Sequence, residues 1–370
     1  MHLPSIAIIG TRGYPSYYGG FETAVRKLAP YLVGQGWDVT VYSRPGATRP
    51  DDPHRDHRVH VIETRGFEKK SLSTLTYGYS AAKHCIKQRP DVALVMNVAN
   101  GYWLPLLKRA GIPTLVNVDG IEWDRAKWGR VAKWVFHTGA RWTARHGTRM
   151  VYDSREIARR WKDEFGLEGD FIPYGGDPVD GDLPVEPGLE RRRYALVVAR
   201  FVPENSIPEF FDAAPEIAKE SDVVVVGSGG YGGELDRRAQ ELTQFSPRIR
   251  WLGHVSDDQR LLSLWKHAGA YFHGHSVGGT NPALVQAMAA GAPIVARDTV
   301  YNREVLGPTG RFTSPQPVEI ARSVRELLRS TEAQEAAARD NAARALNDYS
   351  WAAVCGRYES SLRARIGALA

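Results

Sequence analysis

Residues 270–291 read AYFHGHSVGGTNPALVQAMAAG and carry the clearest fold signal in the chain. The apolar run Ala270–His273 predicts a strand, and the spacing of apolar residues over Pro282–Ala290 predicts a helix. Asn281 or Thr280 can cap that helix, and a proline suits its first turn because no backbone N–H is needed there. A strand, a glycine-rich turn and a helix in this order form the repeating unit of a parallel sheet wound with helices.

The same alternation of short apolar runs and helical patterns extends in both directions from this unit. It is interrupted at residues 174–189, YGGDPVDGDLPVEPGL, which are rich in proline, glycine and aspartate and show no period. A chain of 370 residues is long enough for two domains. We therefore expect an α/β protein with two Rossmann-like, doubly wound parallel-sheet domains, over residues 1–183 and 190–350. Ligands of such sheets bind at the carboxyl ends of the strands, so a cleft between the domains is the expected site.

The composition argues against several classes of protein. The chain is 43% hydrophobic and 24% charged, as expected for a soluble globular protein. No uncharged apolar run approaches the roughly 18 residues that a membrane-spanning helix needs. Two cysteines, Cys85 and Cys355, are too few for a disulfide framework. The short N-terminal apolar stretch runs into a glycine turn, which indicates a buried strand and not a signal peptide. We expect a cytoplasmic protein.

Positive charge is concentrated in residues 125–162. This region contains eleven Lys and Arg residues and two acidic residues, with tryptophans interleaved. Basic side chains mixed with indole rings favour an anionic membrane surface, so peripheral attachment at the inner face of the membrane is one prediction. The alternative is a solvated helix whose aromatic residues face the core. Nucleic acid is not expected as a partner, since no recognised binding module accompanies the patch.

Three glycine-rich turns could receive phosphate groups. Gly19 and Gly20 directly precede a helix, where free N–H groups and the helix dipole favour an anion. The segment GSGGYGG, residues 227–233, satisfies G-x-G-x-x-G, but no acidic residue ends the following strand as dinucleotide binding requires. Gly229 is therefore assigned to a sugar-nucleotide pocket. In the third turn, the N–H groups of residues 279–281 would face a diphosphate. An ordinary tight turn or capped helix is the alternative in each case.

Two acidic residues follow the predicted strand Thr114–Val118. A carboxylate there could orient an acceptor hydroxyl or act as a general base, which would make Asp119 and Glu122 catalytic candidates. The alternative is helix capping by Asp119 and first-turn dipole complementation by Glu122. Asp180-Gly181-Asp182 matches the D-x-D pattern of metal-dependent sugar transferases, but it lies in the predicted linker and is interpreted as loop. No metal is expected.

Four motifs together resemble the GT-B glycosyltransferases of family 4. They are GGFE, VDGIEW, ARFVPEN and SVGGTNP, at residues 19–22, 118–123, 199–205 and 276–282. These motifs are similar to those of a subgroup that contains bacterial rhamnosyltransferases of polysaccharide assembly. The resemblance covers essentially the whole chain. It implies a GT-B fold whose C-terminal helix, residues 351–370, crosses back to the acceptor-binding first domain.

The resemblance implies roles in holding the donor phosphates. The amides of Gly19 and Gly20 would lie near these phosphates. Arg200 would neutralise the diphosphate leaving group, which a guanidinium can bind in a bidentate manner. The turn from Gly279 to Asn281, with Thr280 between them, would bind phosphate or sugar.

Further roles implied by the resemblance concern the nucleoside and the sugar. The turn that contains His254 would contact the base, and Gln286 takes the place of a carboxylate that usually holds the ribose. Asn205 stands where a lysine commonly assists the phosphate-binding arginine, and is assigned to donor binding. Asp119 lies near the position where related enzymes often have a histidine close to the transferred sugar.

The departures from the family pattern shape the functional hypothesis. The usual E-x7-E would place glutamates at Gly278 and Gln286, and neither is present. An amide at residue 286 would fit a deoxyribose donor such as dTDP-rhamnose, with UDP and GDP sugars as the other donors considered. The resemblance implies retaining transfer of a hexose to a saccharide or lipid-linked saccharide, with no cofactor and no metal. A non-catalytic sugar-nucleotide-binding subunit and a GT-B sugar-nucleotide epimerase remain alternatives, and an NAD oxidoreductase is a more distant one.

Overall fold

The structure is a computed structural model that divides into two compact units. One unit comprises residues 1–174 together with 351–370, and the other comprises residues 175–350. The residues described are 3–17, 19–48, 51–67, 73–125, 128–179, 181–230 and 232–367.

The first unit is built on a seven-stranded parallel sheet. Its strands are β1 Ser5–Ile9, β2 Asp38–Ser43, β3 His60–Glu63, β4 Val92–Met96, β5 Thr114–Asn117, β6 Arg149–Tyr152 and β7 Gly169–Phe171. They pair in the order β3-β2-β1-β4-β5-β6-β7. The helices are α1 Gly20–Gly34, α2 Ser73–Gln88, α3 Leu104–Arg109, α4 Arg130–His146 and α5 Arg155–Phe165, with short 3₁₀ turns at Val98–Trp103 and Glu122–Asp124.

The second unit repeats this architecture with a six-stranded parallel sheet. Its strands are β8 Tyr194–Val198, β9 Asp222–Val226, β10 Ile249–Trp251, β11 Ala270–His273, β12 Ile294–Arg297 and β13 Arg311–Thr313, in the order β10-β9-β8-β11-β12-β13. Its helices are α6 Ile207–Ile217, α7 Glu234–Phe245, α8 Asp258–His267, α9 Pro282–Ala289, α10 Val300–Leu306, α11 Pro317–Arg329 and α12 Thr331–Tyr349.

Both sheets are covered on both faces, which explains their apolar strands. All five residues of β4, VALVM, are buried. In β8, Tyr194 and Leu196 belong to one hydrophobic cluster, whereas Ala195 and Val197 belong to the cluster on the opposite face. Successive strand residues point to opposite faces, so a strand buried on both sides is a continuous apolar run. The predicted α/β class with two doubly wound parallel sheets is confirmed.

The last helix, α13 (Trp351–Ile366), completes the core of the first unit. Trp351, Val354 and Tyr358 are buried in the cluster formed by β1, β2 and α1. The Tyr358 hydroxyl accepts a hydrogen bond of 2.7 Å from Nδ2 of Asn117, the last residue of β5. The C-terminal helix thus supports the loop that follows β5.

Several elements differ from those predicted. The edge strands β7 and β13 and the short helix α10 were not predicted, because each is too short to show a period. The spacing of apolar residues over 127–146 predicts a helix, and the helix observed there, α4, begins at Arg130; residue 127 itself lies outside the described residues. Residues 175–179 and 181–183, grouped with the first domain by their composition, belong to the second unit. His267 Nε2 lies 2.8 Å from the Leu183 carbonyl oxygen, and Lys266 Nζ donates to the Gly181 carbonyl oxygen at 2.6 Å.

Candidate functional site

The second unit has its topological switch point between β8 and β11. From β8 the chain continues to β9 on one side of the sheet, and from β11 it continues to β12 on the other side. The carboxyl ends of these two neighbouring strands lead into residues 199–206 and 274–281. Crevices outside such a switch point are where doubly wound sheets bind their ligands. The two motifs most clearly linked to diphosphate binding are therefore neighbours in the fold.

Hydrogen bonds join these two loops into one wall. Ser206 Oγ donates to the Gly274 carbonyl oxygen at 2.8 Å. Ser276 donates to the Glu204 carbonyl oxygen through its N–H, at 2.9 Å, and through its Oγ, at 2.8 Å. A side chain at residue 274 would overlap the carbonyl oxygen of Asn205, so glycine is required for this close approach.

Arg200 lies on the first of these loops and its side chain is exposed. In the part of the chain that the structure describes, its guanidinium has no ion-pair partner. Its backbone is fixed, because its carbonyl oxygen accepts hydrogen bonds from Asn205 Nδ2 and from the Val202 N–H, both at 2.9 Å. Asn205 is buried, and its amide group positions Arg200 in this structure.

The turn before α9 has the geometry of an anion-binding helix N-terminus. Asn281 caps the helix, its Oδ1 accepting from the Ala283 N–H at 3.0 Å. Gly278 has φ +99°, a conformation that favours glycine. Among the described residues, no acceptor is found for the N–H groups of Gly278 and Gly279. These amides and the dipole of α9 can receive a phosphate, while the buried Thr280 continues the turn.

Two histidine rings stack beside this turn. The rings of His273 and His275 lie 4.4 Å apart and are nearly parallel. His273 is fully buried, and its Nδ1 lies 3.0 Å from the Tyr271 hydroxyl. Burial, with a smaller contribution from His275, lowers the pKa of His273 well below its ordinary value. His273 is therefore neutral at pH 7 and adds no positive charge to the phosphate turn.

Gln286 lies one turn into α9 and is bonded within its own unit. Its Nε2 donates to the Asp177 carbonyl oxygen at 3.1 Å. A Cβ at Gly176 would lie 2.9 Å from the Val285 carbonyl oxygen, so the chain passes close to α9 there. Gln286 thus anchors the segment that enters the second unit, and its side-chain oxygen remains the atom that could accept a bond from a ribose hydroxyl.

The glycine-rich loop at residues 227–233 is closed by an acidic residue of α7. The buried Asp236 accepts from the Gly229 N–H at 2.9 Å and from the Gly233 N–H at 3.1 Å. This bonding satisfies two amides that would otherwise be available to a ligand. Gly229 was predicted to bind the donor, but its N–H is already engaged in this structure.

Replacing Asp236 with Ala should loosen this loop. We expect the free energy of unfolding to fall by about 1 kcal/mol, as for loss of a helix cap, and nucleotide-sugar binding to weaken. Urea denaturation and calorimetry with the nucleotide would measure the two effects. Glu241→Ala, on the exposed side of the same helix, is the matched control. Equal behaviour of the two variants would show that the bonds from Asp236 do not matter.

The turn after β10 lies beside the glycine-rich loop. The Gly227 N–H donates to the Gly253 carbonyl oxygen at 2.7 Å, and Trp251 Nε1 donates to the Gly227 carbonyl oxygen at 2.8 Å. His254 follows directly and is exposed. The fold therefore brings His254 to the same sheet edge as Arg200, and its contact with a base remains a prediction.

In the first unit, the loop after β1 is held by the start of α1. Gly19 precedes the helix in an extended conformation, and its carbonyl oxygen accepts the Thr23 N–H at 3.0 Å. The buried carboxylate of Glu22 accepts the Arg12 N–H at 3.0 Å. Gly20 opens the helix, where the first N–H groups have no intrahelical acceptor. This is the switch point of the first sheet, between β1 and β4.

Asp119 follows β5 in a left-handed conformation. Its φ is +61°, which is costly for a residue other than glycine and is commoner for Asp and Asn than for most. Its N–H donates to Asn117 Oδ1 at 2.9 Å, and Asn117 is in turn bonded to Tyr358. A backbone held in such a conformation is a pointer to function. Asp119 is partly exposed at the sheet edge.

The surroundings of Asp119 are acidic. Burial raises the pKa of Tyr174 well above its ordinary value, and the carboxylates of Asp119 and Asp153 raise it further. Burial likewise raises the pKa of Tyr358, with smaller contributions from the same two carboxylates. Both phenols therefore remain protonated at neutral pH and can act as hydrogen-bond donors or acceptors.

The carboxylate of Glu122 is held by neighbouring side chains. It is buried, and its two carboxylate oxygens contact Arg125 Nε at 2.6 Å and Trp128 Nε1 at 2.8 Å. Both oxygens are engaged, so in this structure Glu122 fixes the loop after β5. These contacts are those of a positioning residue, and the catalytic role predicted for Glu122 stays a prediction.

The aromatic residues of 125–162 are divided between the core and the surface. Trp161 is fully buried, with Tyr152 and Phe165 against it. Trp134 is 65% exposed and Trp142 is 40% exposed, both on α4. The interpretation that the aromatic residues face the core thus fits Trp161, whereas Trp134 and Trp142 are exposed as the membrane-surface interpretation requires. Within the described residues, no helix has the length and apolar character to cross a membrane.

Comparison with protein families identifies both halves of the chain. Residues 19–175 match the family described as "Glycosyl transferase 4-like domain". Residues 192–330 match the family described as "Glycosyl transferases group 1".

Two curated relatives are mannosyltransferases. The phosphatidyl-myo-inositol mannosyltransferase of Mycolicibacterium smegmatis is 31% identical over 168 residues, which is 42% of either chain, so this chain matches less than half of that relative. The MMP alpha-(1->4)-mannosyltransferase of Mycolicibacterium hassiacum is 26% identical, and the alignment covers 98% of this chain and 99% of the relative.

Solved structures show the same fold. The sucrose-phosphate synthase of Thermosynechococcus elongatus has a TM-score of 0.80 at 18% identity, covering 99% of this chain and 100% of that one. The Anabaena protein HepE in complex with UDP has a TM-score of 0.71 at 15% identity, covering 98% and 100%. At these identities the likeness establishes the two-domain GT-B fold and nothing more specific.

Proposed function

We propose that this chain, which combines the two domains of a GT-B glycosyltransferase of the family 4 type, transfers a hexosyl group from a nucleoside diphosphate sugar to a saccharide or lipid-linked saccharide. One observation carries the proposal. At the switch point of the second sheet, the exposed guanidinium of Arg200 lies on a loop that is bonded directly to the anion-binding turn before α9. A guanidinium and free amides on adjoining loops can together bind a diphosphate.

In this proposal the second unit holds the donor. Arg200 and the amides of Gly278 and Gly279 stabilise the negative charge that develops as the diphosphate leaves, so the reaction requires no metal. Asn205 keeps the Arg200 backbone in place. Gln286 accepts from a ribose hydroxyl, and His254 contacts the base.

The first unit binds the acceptor. Asp119 orients the acceptor hydroxyl or accepts its proton, and Glu122 fixes the loop on which Asp119 lies. The amides of Gly19 and Gly20, at the start of α1, can bind a phosphate group. Retention of configuration at the anomeric carbon follows from the family type, and NMR of the first-formed product would test it.

The first candidate donor is dTDP-rhamnose, from which L-rhamnose would be transferred, because the amide at Gln286 fits a deoxyribose. Mannose is the second candidate, because the curated relatives named above are mannosyltransferases. Calorimetry with dTDP, UDP and GDP, followed by hydrolysis assays with the corresponding sugars, separates the two. Equal affinity for UDP and dTDP would argue against the rhamnosyl donor, and preference for GDP would favour mannose.

Activity assays also distinguish a glycosyltransferase from a non-catalytic sugar-nucleotide-binding subunit and from an epimerase. A non-catalytic subunit would bind the nucleotide sugar but release no nucleoside diphosphate at any enzyme concentration. An epimerase would convert the donor in the absence of any acceptor. A glycosyltransferase should hydrolyse the donor slowly without an acceptor, and should release nucleoside diphosphate faster when an acceptor glycan takes the sugar.

The exposed face of α4 is proposed to contact an anionic membrane. Trp134 and Trp142 lie on it, with the exposed Arg141 and Arg145 nearby. Indole prefers the interface and basic side chains are drawn to lipid phosphates.

Replacing both Trp134 and Trp142 with Ala should weaken sedimentation with phosphatidylglycerol vesicles by about tenfold or more, equivalent to about 1.4 kcal/mol. Phe245→Ala removes an equally exposed aromatic residue from the second unit and should have no effect. Absence of wild-type binding at any ionic strength would refute this attachment.

A further inference from the structure

The 175–350 unit contains a cavity at a distance from the loops that are proposed to bind the nucleotide. Its volume is about 320 Å³, and it is lined by residues just before β8 and by the first turns of α12. Arg191 and Arg192 precede β8, whereas Arg200 follows it. The cavity therefore lies at the opposite end of the parallel strands from the proposed donor site.

The residues that line this cavity carry more positive than negative charge. Arg191, Arg192 and Arg339 line it, and Glu335 is the acidic residue among its lining groups. Within the described residues, neither Arg191 nor Arg339 has an ion-pair partner. Arg192 donates to the main-chain oxygens of Ala268, at 2.6 Å, and Gly291, at 3.1 Å, so its contacts carry no compensating negative charge.

Arg191 and Arg192 are consecutive in the chain and place two like charges at the cavity. Burial lowers the pKa of Arg192 and the like charge of Arg191 lowers it further, with smaller opposing contributions from Tyr194 and Glu335. Arg192 is also held at φ +63°, which fixes its backbone at the cavity. An anion between the side chains would relieve this repulsion, because a guanidinium binds phosphate oxygens in a planar, bidentate manner.

The start of α12 adds to the favourable field. Ser330 caps this 19-residue helix, its Oγ accepting from the Ala333 N–H at 3.1 Å, and Thr331 lines the cavity. The positive end of the helix dipole therefore lies at the cavity wall. The volume is at the lower end of the range for small-molecule pockets, which suits a ligand with one or two phosphate groups.

We propose that this cavity is a second anion site, which binds a small phosphate-bearing molecule separately from the sugar donor. Arg191 and Arg339 bind its phosphate oxygens. Arg192, whose side chain is fixed by main-chain oxygens, forms the charged floor. The site stands on its own observations and does not depend on the proposed transferase activity.

Calorimetry of the full chain with inorganic pyrophosphate tests the site. The Arg191→Ala/Arg339→Ala variant changes two exposed residues and leaves the partly buried Arg192 intact, so its thermal midpoint should match that of the wild type. We expect it to lose one binding event, with affinity there reduced by about tenfold or more. The lysine double variant at the same positions should be intermediate, because charge is kept and the bidentate geometry is lost.

Two further variants separate this site from the donor site. Arg200→Ala should keep the binding event that the double variant loses. Arg311→Ala/Arg357→Ala removes two exposed arginines elsewhere and should bind as the wild type does. Unchanged binding by the Arg191/Arg339 variant, or loss of all binding in Arg200→Ala, overturns the proposal. A single wild-type event that only the Arg191/Arg339 change removes would uphold it and count against the donor site.

Discussion

Replacement of Arg200 with Ala is expected to lower the rate of hexosyl transfer by about 10²–10³-fold, the usual effect of removing one group that stabilises developing negative charge. The guanidinium is exposed, and the backbone of Arg200 is fixed by Asn205 and Val202 through its carbonyl oxygen. The substitution therefore leaves those bonds in place. The free energy of unfolding should change by no more than about 0.5 kcal/mol. Steady-state release of nucleoside diphosphate, with and without acceptor, measures the effect.

Companion variants test whether the loss comes from the leaving-group charge. Arg200→Lys should recover part of the rate, since it keeps the charge without the bidentate geometry. Asn205→Ala should fall between wild type and Arg200→Ala, because it frees the loop but keeps the cation. Arg311→Ala removes an exposed arginine from β13 and should be unaffected. A full rate in Arg200→Ala would remove the observation on which the proposed function rests.

The long apolar strands and their order along the chain could be predicted from the sequence. Strands such as β4 and β9 are continuous apolar runs because helices cover both faces of each sheet. The strands that were not predicted, β7 and β13, are the last strands at an edge of each sheet. Each has three residues, GDF and RFT, and is only partly buried, so neither leaves an apolar run.

The positions of the candidate loops were predictable, but many of their contacts were not. Loops that follow parallel strands lie at the carboxyl edge of the sheet, which places Arg200 and Asn281 at the same edge of the second sheet. Asn117 and Tyr358 are bonded across 241 residues, and no local pattern indicates such a pair. Asp236, by contrast, stands at the third position of α7, where an acidic residue is a recognisable helix-start signal.

The loop after β5 combines a conformational cost with a partly exposed acidic residue, Asp119. The left-handed backbone of Asp119 costs about 1 kcal/mol for a residue with a Cβ. Glycine adopts the same conformation without that cost. Bonds made by its neighbours, Asn117 before Asp119 and Glu122 after it, help to fix the loop. If the backbone conformation alone set the residue at this position, glycine would serve at least as well as aspartate.

The Asp119→Gly variant should therefore lose activity without losing stability. We expect transfer to fall by about 10²-fold or more, the contribution of a positioned acid or base, while the free energy of unfolding is unchanged or rises by up to about 1 kcal/mol. Asp119→Asn tolerates the same backbone and removes only the charge, so it should lose activity to a similar extent. Urea denaturation and transfer assays on the two variants decide the matter. A destabilised but fully active Asp119→Gly would assign Asp119 to the architecture of the loop and leave the acceptor without its proposed carboxylate.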